Sequence, residues 1–176
     1  MAFNAYLVLK PKTGLPAFKT ETIDTTFSKY ISLEVSHFAL GYSEPGTATA
    51  PGKLAFQTLN LNLLSVVNSP GFLTMCGLGQ TFDSVTLYLR KSVSNSTARI
   101  YTIYHFGTVA VTGVTIDGND GDGAPAVNLT LAVGQFAHHG STTSTTGQVT
   151  PSLVGSWNAI TSSTWAESPL DGPGWV

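Results

Sequence analysis

Ser69-Pro70-Gly71-Phe72-Leu73-Thr74-Met75-Cys76-Gly77 and, after Leu78-Gly79-Gln80, Thr81-Phe82-Asp83-Ser84-Val85-Thr86-Leu87-Tyr88-Leu89-Arg90 are the stretch that decides the fold. Its first part has the punctuation of a short helix. Ser69 sits where an N-cap belongs, Pro70 supplies the preset φ of a first helical residue, and Gly77 offers a stop. Its second part changes period, with Phe82, Val85, Leu87 and Leu89 marking the inward face of a strand. It is the only helix candidate in the chain.

Outward from it, the apolar residues recur every second position. Phe3, Ala5, Leu7 and Leu9 form one face of a first strand that stops at Lys10-Pro11. Residues 11–28 lack a period and carry Lys12, Lys19, Glu21 and Asp24, which reads as a solvated loop. Ile31, Leu33 and Val35 alternate with Ser32, Glu34 and Ser36; Leu59, Leu61 and Leu63 alternate with Asn60 and Asn62. Ser43–Gly52 between them is a Pro/Gly/Thr loop. Arg99–Ile116 predicts a long strand bent at Gly107 or Gly113, Val127–Val133 a further one, and the surroundings of Trp157 a short last one. Six or seven strands and one short flanking helix predict an all-β domain, a small β-barrel or a sandwich of two sheets, over residues 1–160. Residues 161–176 are a Ser/Thr/Pro/Gly-rich tail, read either as flexible or as a strap across a neighbour.

The composition narrows the function. Of 176 residues only 8 are Lys or Arg and 10 are Asp or Glu, for a net charge of -2; an average domain of this length carries about 44 charges. Such a thin coat is the mark of a surface that is partly covered in the working state. With no basic excess, neither nucleic acid nor an anionic membrane surface is an expected partner. The charge-free stretches Leu54–Phe82 and Gly123–Trp165 are interrupted by Asn, Pro, Gly and His, so membrane insertion is not expected either. Met1-Ala2-Phe3-Asn4 enters a strand pattern with no basic and apolar leader, so the chain is expected to start in the cytoplasm or to have lost a signal. A lone Cys76 rules out an intrachain disulfide.

Candidate chemical sites are few. Asp117, Asp120 and Asp122 lie in a Gly-rich run, suited to a hard cation with oxygen ligands, but without the order of an EF-hand; the alternative is a plain turn between strands. His138 and His139 point to opposite faces of a strand and cannot chelate one ion, while His37 and His105 stand alone with no acid at ligand spacing. There is no nucleophile elbow, and carboxylates are too scarce for a glycosidase pair. Asn95-Ser96-Thr97 and Asn128-Leu129-Thr130 match glycosylation sequons in a chain so rich in Thr that matches arise by chance. No enzyme and no cofactor is expected; a hydrolase is the weakest of the readings.

The segment Asn68–Val85 resembles the signature of the Hcp family, the tail-tube proteins of the bacterial type VI secretion system. That signature runs S-P-x-L-x-x-x-C-x-x-G-x-x-F-x-x-V, followed by alternating apolar residues and an Arg. Ser69, Pro70, Cys76, Gly79, Phe82, Val85 and Arg90 fall in register without a gap, with Phe72 or Leu73 at the Leu position. The opening Met1-Ala2-Phe3-Asn4-Ala5-Tyr6-Leu7, the pair Glu21 and Asp24, Tyr30-Ile31, the turn Gly41–Pro45, the Thr102–Thr112 strand and Gly155–Trp157 are similar to family features in the same order. The family carries a Lys and an Asp where this chain has Leu63 and Val66, so any polar contact made there is not carried over.

The resemblance implies a small barrel with a flanking helix, assembled as a homohexameric ring without an active site. Rings stack into a hollow tube that a contractile sheath drives outward behind a spike protein, with small effectors in the lumen. It also implies assembly in the bacterial cytoplasm and secretion without a signal peptide. Two other readings stand beside it: the tube of another phage-like contractile injection particle, and a secreted β-sandwich module binding glycan or calcium.

Overall fold

The alternating apolar residues build a closed barrel. In the computed structural model, which describes residues 4–46, 52–64, 67–91, 98–118, 125–144 and 148–175, the elements in chain order are as follows. β1 (Asn4–Lys10) and β2 (Ser32–Ala39) precede a small hairpin of β3 (Tyr42–Ser43) and β4 (Ala55–Phe56). β5 (Leu59–Leu63) leads into α1 (Ser69–Leu78), and β6 (Thr81–Lys91), β7 (Arg99–Asp117), β8 (Ala126–Thr143) and β9 (Val149–Asn158) complete the chain. The main sheet has the order β5-β2-β1-β6-β7-β8-β9, all neighbours antiparallel. An additional pairing of β5 with β8 closes six of these strands into a ring. β8 uses one edge twice: Val127–Leu131 pairs with β5, and Gln135–Thr143 pairs with β9.

Inside lie the residues that the period of two had marked. Leu7, Leu33, Leu59, Leu61, Leu63, Val85, Leu87, Phe106, Val127, Leu129 and Leu131 belong to one buried cluster. α1 plugs it at one end with Phe72 and Met75, and the rings of Phe18, Phe72 and Phe82 meet there at centroid separations of 5.0 to 6.3 Å. Leu63, in the family's Lys position, is one of these core residues; Val66 lies outside the described residues.

β1 departs from simple alternation, because Tyr6 and Val8 on its other face are buried as well. With Phe27, Tyr88, Ile100 and Ile103 they form a second apolar cluster on the outside of the sheet, covered by the loop before β2 and by the C-terminal segment. A period-two reading leaves that face to solvent; the cover comes from residues distant in the sequence.

The helix is one turn-end longer than its sequence punctuation indicates. Asn68, not Ser69, occupies the N-cap, and α1 continues through Gly77 to Leu78. Gly79 is the true stop: its φ of 62° is left-handed, its N–H donates to Cys76 O at 3.4 Å, and Gln80 N–H donates to Met75 O at 3.0 Å. That paired closure needs a residue at positive φ, which Gly supplies without a Cβ penalty. β8 and β9 are also longer than the sequence suggests, because the cross-strand ladder carries Gly134, Gly140 and Ser141–Thr143 along in strand conformation. Thr145, Thr146 and Gly147 of that Ser/Thr tract lie outside the described residues. The register of β7 with β8 shifts between Val111 and Gly113, at one of the two glycines where the sequence predicts a bend.

Candidate functional site

The residues of the family signature lie on α1 and β6, with Gly79 between them. Phe82 and Val85 are fully buried core residues of β6, and Cys76 packs partly buried on the core from α1. Phe72, not Leu73, fills the interior position of the motif: Phe72 is buried, whereas Leu73 is 65% exposed. Pro70 stands in the first turn of α1 and Gly79 closes it.

Two acids of the loop before β2 tie this segment down. The Glu21 carboxylate accepts from the backbone N–H of Asn68 at 3.1 Å and from its side-chain amide. The same Asn68 side chain accepts from Lys19 N–H at 2.7 Å and donates to Lys19 O at 2.9 Å. Asn68 therefore binds the loop rather than capping its own helix. Three residues on, Asp24 pairs with Arg90 of β6, which is buried, donates also to Ala98 O at 2.8 Å and lies over the ring of Phe27. Tyr6 OH donates to the same carboxylate at 3.3 Å. Burial pushes the Asp24 carboxyl up, but hydrogen bonds from Thr26 and the Arg90 charge prevail and hold it below the ordinary range. Glu21 and Asp24 thus fasten one loop to the start of α1 and to the end of β6.

A second set of anchors holds the C-terminal segment. After Asn158 a turn bridged to Ser163 returns the chain across the outer face. Trp165 is buried against Gly107, where an added Cβ would sit 2.8 Å from the indole ring, and lies 5.1 Å from the His105 ring. One oxygen of Glu167 accepts from His105 Nδ1 at 2.6 Å and from His139 Nε2 at 2.7 Å. A carboxylate only accepts, so these two ring nitrogens carry the protons. Burial alone would raise the Glu167 carboxyl, yet the two imidazole hydrogen bonds bring it down to about 2. Farther on, Asp171 pairs with Lys10 at 3.0 Å and accepts from Ser84 Oγ, while Tyr88 OH donates to Asp171 O at 3.1 Å. Leu170 and Trp175 pack on the outer apolar cluster.

His105 and His139 are therefore not isolated from acids, although their spacing in sequence indicates that they are: Glu167 lies 62 residues beyond His105 and 28 beyond His139 and reaches both only through the fold. His138 does face away from His139, toward the Tyr104 ring at 4.6 Å. The His105–Glu167 pair has the form of an acid–base couple, but His105 is fully buried and its Nε2 has no access to a substrate. Of the three candidate metal ligands, Asp117 accepts from the Asn128 side chain, and Asp120 and Asp122 lie outside the described residues. Among the described residues no group of three His, Cys, Asp or Glu is arranged to hold an ion. Asn128 of the second sequon donates to Asp117 and accepts from Asn62 at 2.9 Å; Asn95 of the first lies outside the described residues.

The surface bears large apolar side chains in several places. Ile23, Leu64 and Val67 are exposed on the side of the Glu21–Asp24 loop, Leu73 and Leu78 on α1, and Ile116, Val154 and Ile160 on the long strands and the final turn. An open groove of about 780 Å³ runs beside the first set, with Ile23, Leu64, Glu34 and Arg90 among its lining. No helix among the described residues is long and apolar enough to cross a membrane.

No family model matches the sequence, and no curated protein matches it at a significant level. Solved structures do match. A type six secretion system protein is 21% identical and superimposes with a TM-score of 0.79 over 93% of this chain and 100% of its own. Hcp1 from Salmonella typhimurium is 19% identical with a TM-score of 0.68 over 92% of this chain and 97% of its own. Hcp3 from Pseudomonas aeruginosa, at 11% identity, gives 0.60 over 88% and 98%. The fold of this chain is that of the Hcp proteins, a closed antiparallel barrel with one helix and additional strands.

Proposed function

We propose that this chain is the tail-tube subunit of a contractile injection apparatus of the type VI secretion kind. Six copies would form a ring, and rings would stack into a hollow tube that carries or protects small effectors. The observation that carries the reading is end-to-end likeness: the barrel, helix and additional strands match a type six secretion system protein over 93% of this chain and the whole of that one. The register of Ser69, Pro70, Cys76, Gly79, Phe82, Val85 and Arg90 with the family signature supports it independently of the backbone.

Surface chemistry agrees. The chain exposes 9510 Å², above the roughly 8,200 Å² expected of a compact monomer of its mass, with 18 charges to cover it. Side-to-side and ring-to-ring contacts would remove part of that surface, including exposed residues such as Leu73 and Leu78, from water. The role is structural, and the partners are other copies of the chain, a sheath, a spike protein and effector cargo. Assembly in the cytoplasm is followed by export with the tube.

Electron microscopy and light scattering of the purified protein test the reading. A ring with a central hole and a mass near six times 18.5 kDa is expected. A stable monomer that does not change with concentration overturns it.

A further inference from the structure

The C-terminal segment is attached in a different way from every strand of the barrel. Among the described residues, no backbone–backbone hydrogen bond joins residues 164–175 to the sheet. The segment is held by side chains: Trp165 at Gly107, Glu167 between His105 and His139, Asp171 on Lys10 and Ser84, and Trp175 on the outer cluster. Both charges of the segment are carboxylates, and both are engaged with donors of the barrel. The barrel's own closure, from β5 through β8, uses none of these contacts.

From this geometry we propose that residues 164–175 are a detachable strap latched by Glu167, which lifts as a unit from an intact barrel when the carboxylate between His105 and His139 is lost. Lifting uncovers the outer apolar cluster around Tyr6, Val8, Tyr88, Ile100 and Ile103. Elements held by few backbone bonds open at a fraction of the global unfolding free energy, which makes such a strap a sub-global unit. Loss of the latch needs no covalent chemistry; protonation of Glu167, or its removal, suffices.

The ionisable groups facing the latch are His105 from β7, His139 from β8 and, more distantly, Tyr88 from β6. Lys10 is taken up by Asp171, and Asp83 beside the strap pairs with Lys12. Because the folded carboxyl lies at about 2 against an ordinary 4.5, the stabilisation from Glu167 is complete above pH 4.5 and is lost as pH falls toward 2. Acid therefore opens the strap, and neutral pH keeps it closed.

The three tryptophans separate strap from barrel, since Trp165 and Trp175 report on the strap and Trp157 on β9. The experiment is indole NMR of the full chain, with chymotryptic cleavage after Trp165 as a second readout. In Glu167→Ala at pH 7 the Trp165 and Trp175 signals should move to exposed positions while Trp157 holds, and cleavage should quicken at least tenfold. His139→Gln, which removes one arm of the latch, should give a smaller change in the same direction and serves if the Ala variant does not fold. Lowering the pH of the unaltered protein from 5 toward 2.5 should reproduce the Glu167→Ala pattern. Unchanged Trp165 and cleavage in both variants, or all three tryptophans moving together, overturns the proposal. The ring state does not enter these readouts, so a monomeric result would leave the test intact.

Discussion

The α1–β6 segment and the C-terminal strap both lie against the barrel, yet they are built by different physics. Residues 69–91 are fixed from inside: Phe72, Met75, Phe82, Val85 and Leu87 have no exposed surface, and β6 pairs with neighbours on both edges. Residues 164–175 are fixed from outside, by two carboxylates and two indoles seated on a sheet that is already complete. The first kind of attachment is inseparable from folding, because removing it opens the core. The second adds order without being needed for closure. The comparison teaches that coverage of a sheet face and membership of its core are separate properties, even where the burial of individual residues is similar.

Mutations can break that contrast in graded steps. Phe72→Ala should cost the whole molecule about 3–5 kcal/mol, the usual range for truncating a fully buried Phe, read as a lowered denaturation midpoint of barrel and strap together. Asp24→Asn should follow at about 3 kcal/mol, because it strands the Arg90 guanidinium in a buried site; chemical denaturation would measure it. Gly79→Val should cost about 1–2 kcal/mol, a backbone effect of placing a β-branched residue at φ of 62°. The site is spatially open, with no atom within 4 Å of an added Cβ, so an unchanged midpoint would show that α1 tolerates another ending. Gly107→Ala should have the smallest global effect: the new Cβ meets the Trp165 ring and the Gln135 side chain, so Trp165 emission should shift to the red with little change in the barrel's midpoint. A large loss of stability from Gly107→Ala would erase the distinction between the two regions.

The interior of the barrel was legible in the sequence because each inner residue repeats at a spacing of two, as Leu59, Leu61 and Leu63 do. The motif from Ser69 to Arg90 was legible because its residues are close in the chain. The helix ends lie one position before Ser69, at Asn68, and two beyond Gly77, at Gly79: Ser69 and Gly77 carry similar local chemistry, but Asn68 is held by the Lys19–Glu21 loop and Gly79 closes the helix through its left-handed backbone. The outer cluster and its cover were hidden, as Tyr6 and Val8 owe their burial to Phe27, Leu170 and Trp175. Glu21–Asn68, Asp24–Arg90 and His105–Glu167 span 47, 66 and 62 residues; the resemblance picks out Glu21, Asp24 and Arg90 singly, but nothing local joins any of them to its partner.

The shared edge of β8 also sets an order of events in time. The β6–β7–β8 meander joins strands that follow one another in the chain, so its contacts form with little loop entropy. The β5–β8 seam joins Leu59–Leu63 to Val127–Leu131 across a span that includes α1, β6 and β7. It closes a long loop, exceeded only slightly by that between β1 and β6, and as the pairing that shuts an already assembled sheet it is expected to zip after the rate-limiting step. Truncating Leu61 would then accelerate unfolding and leave the refolding rate nearly untouched, a φ-value near zero at the place where the barrel becomes a barrel.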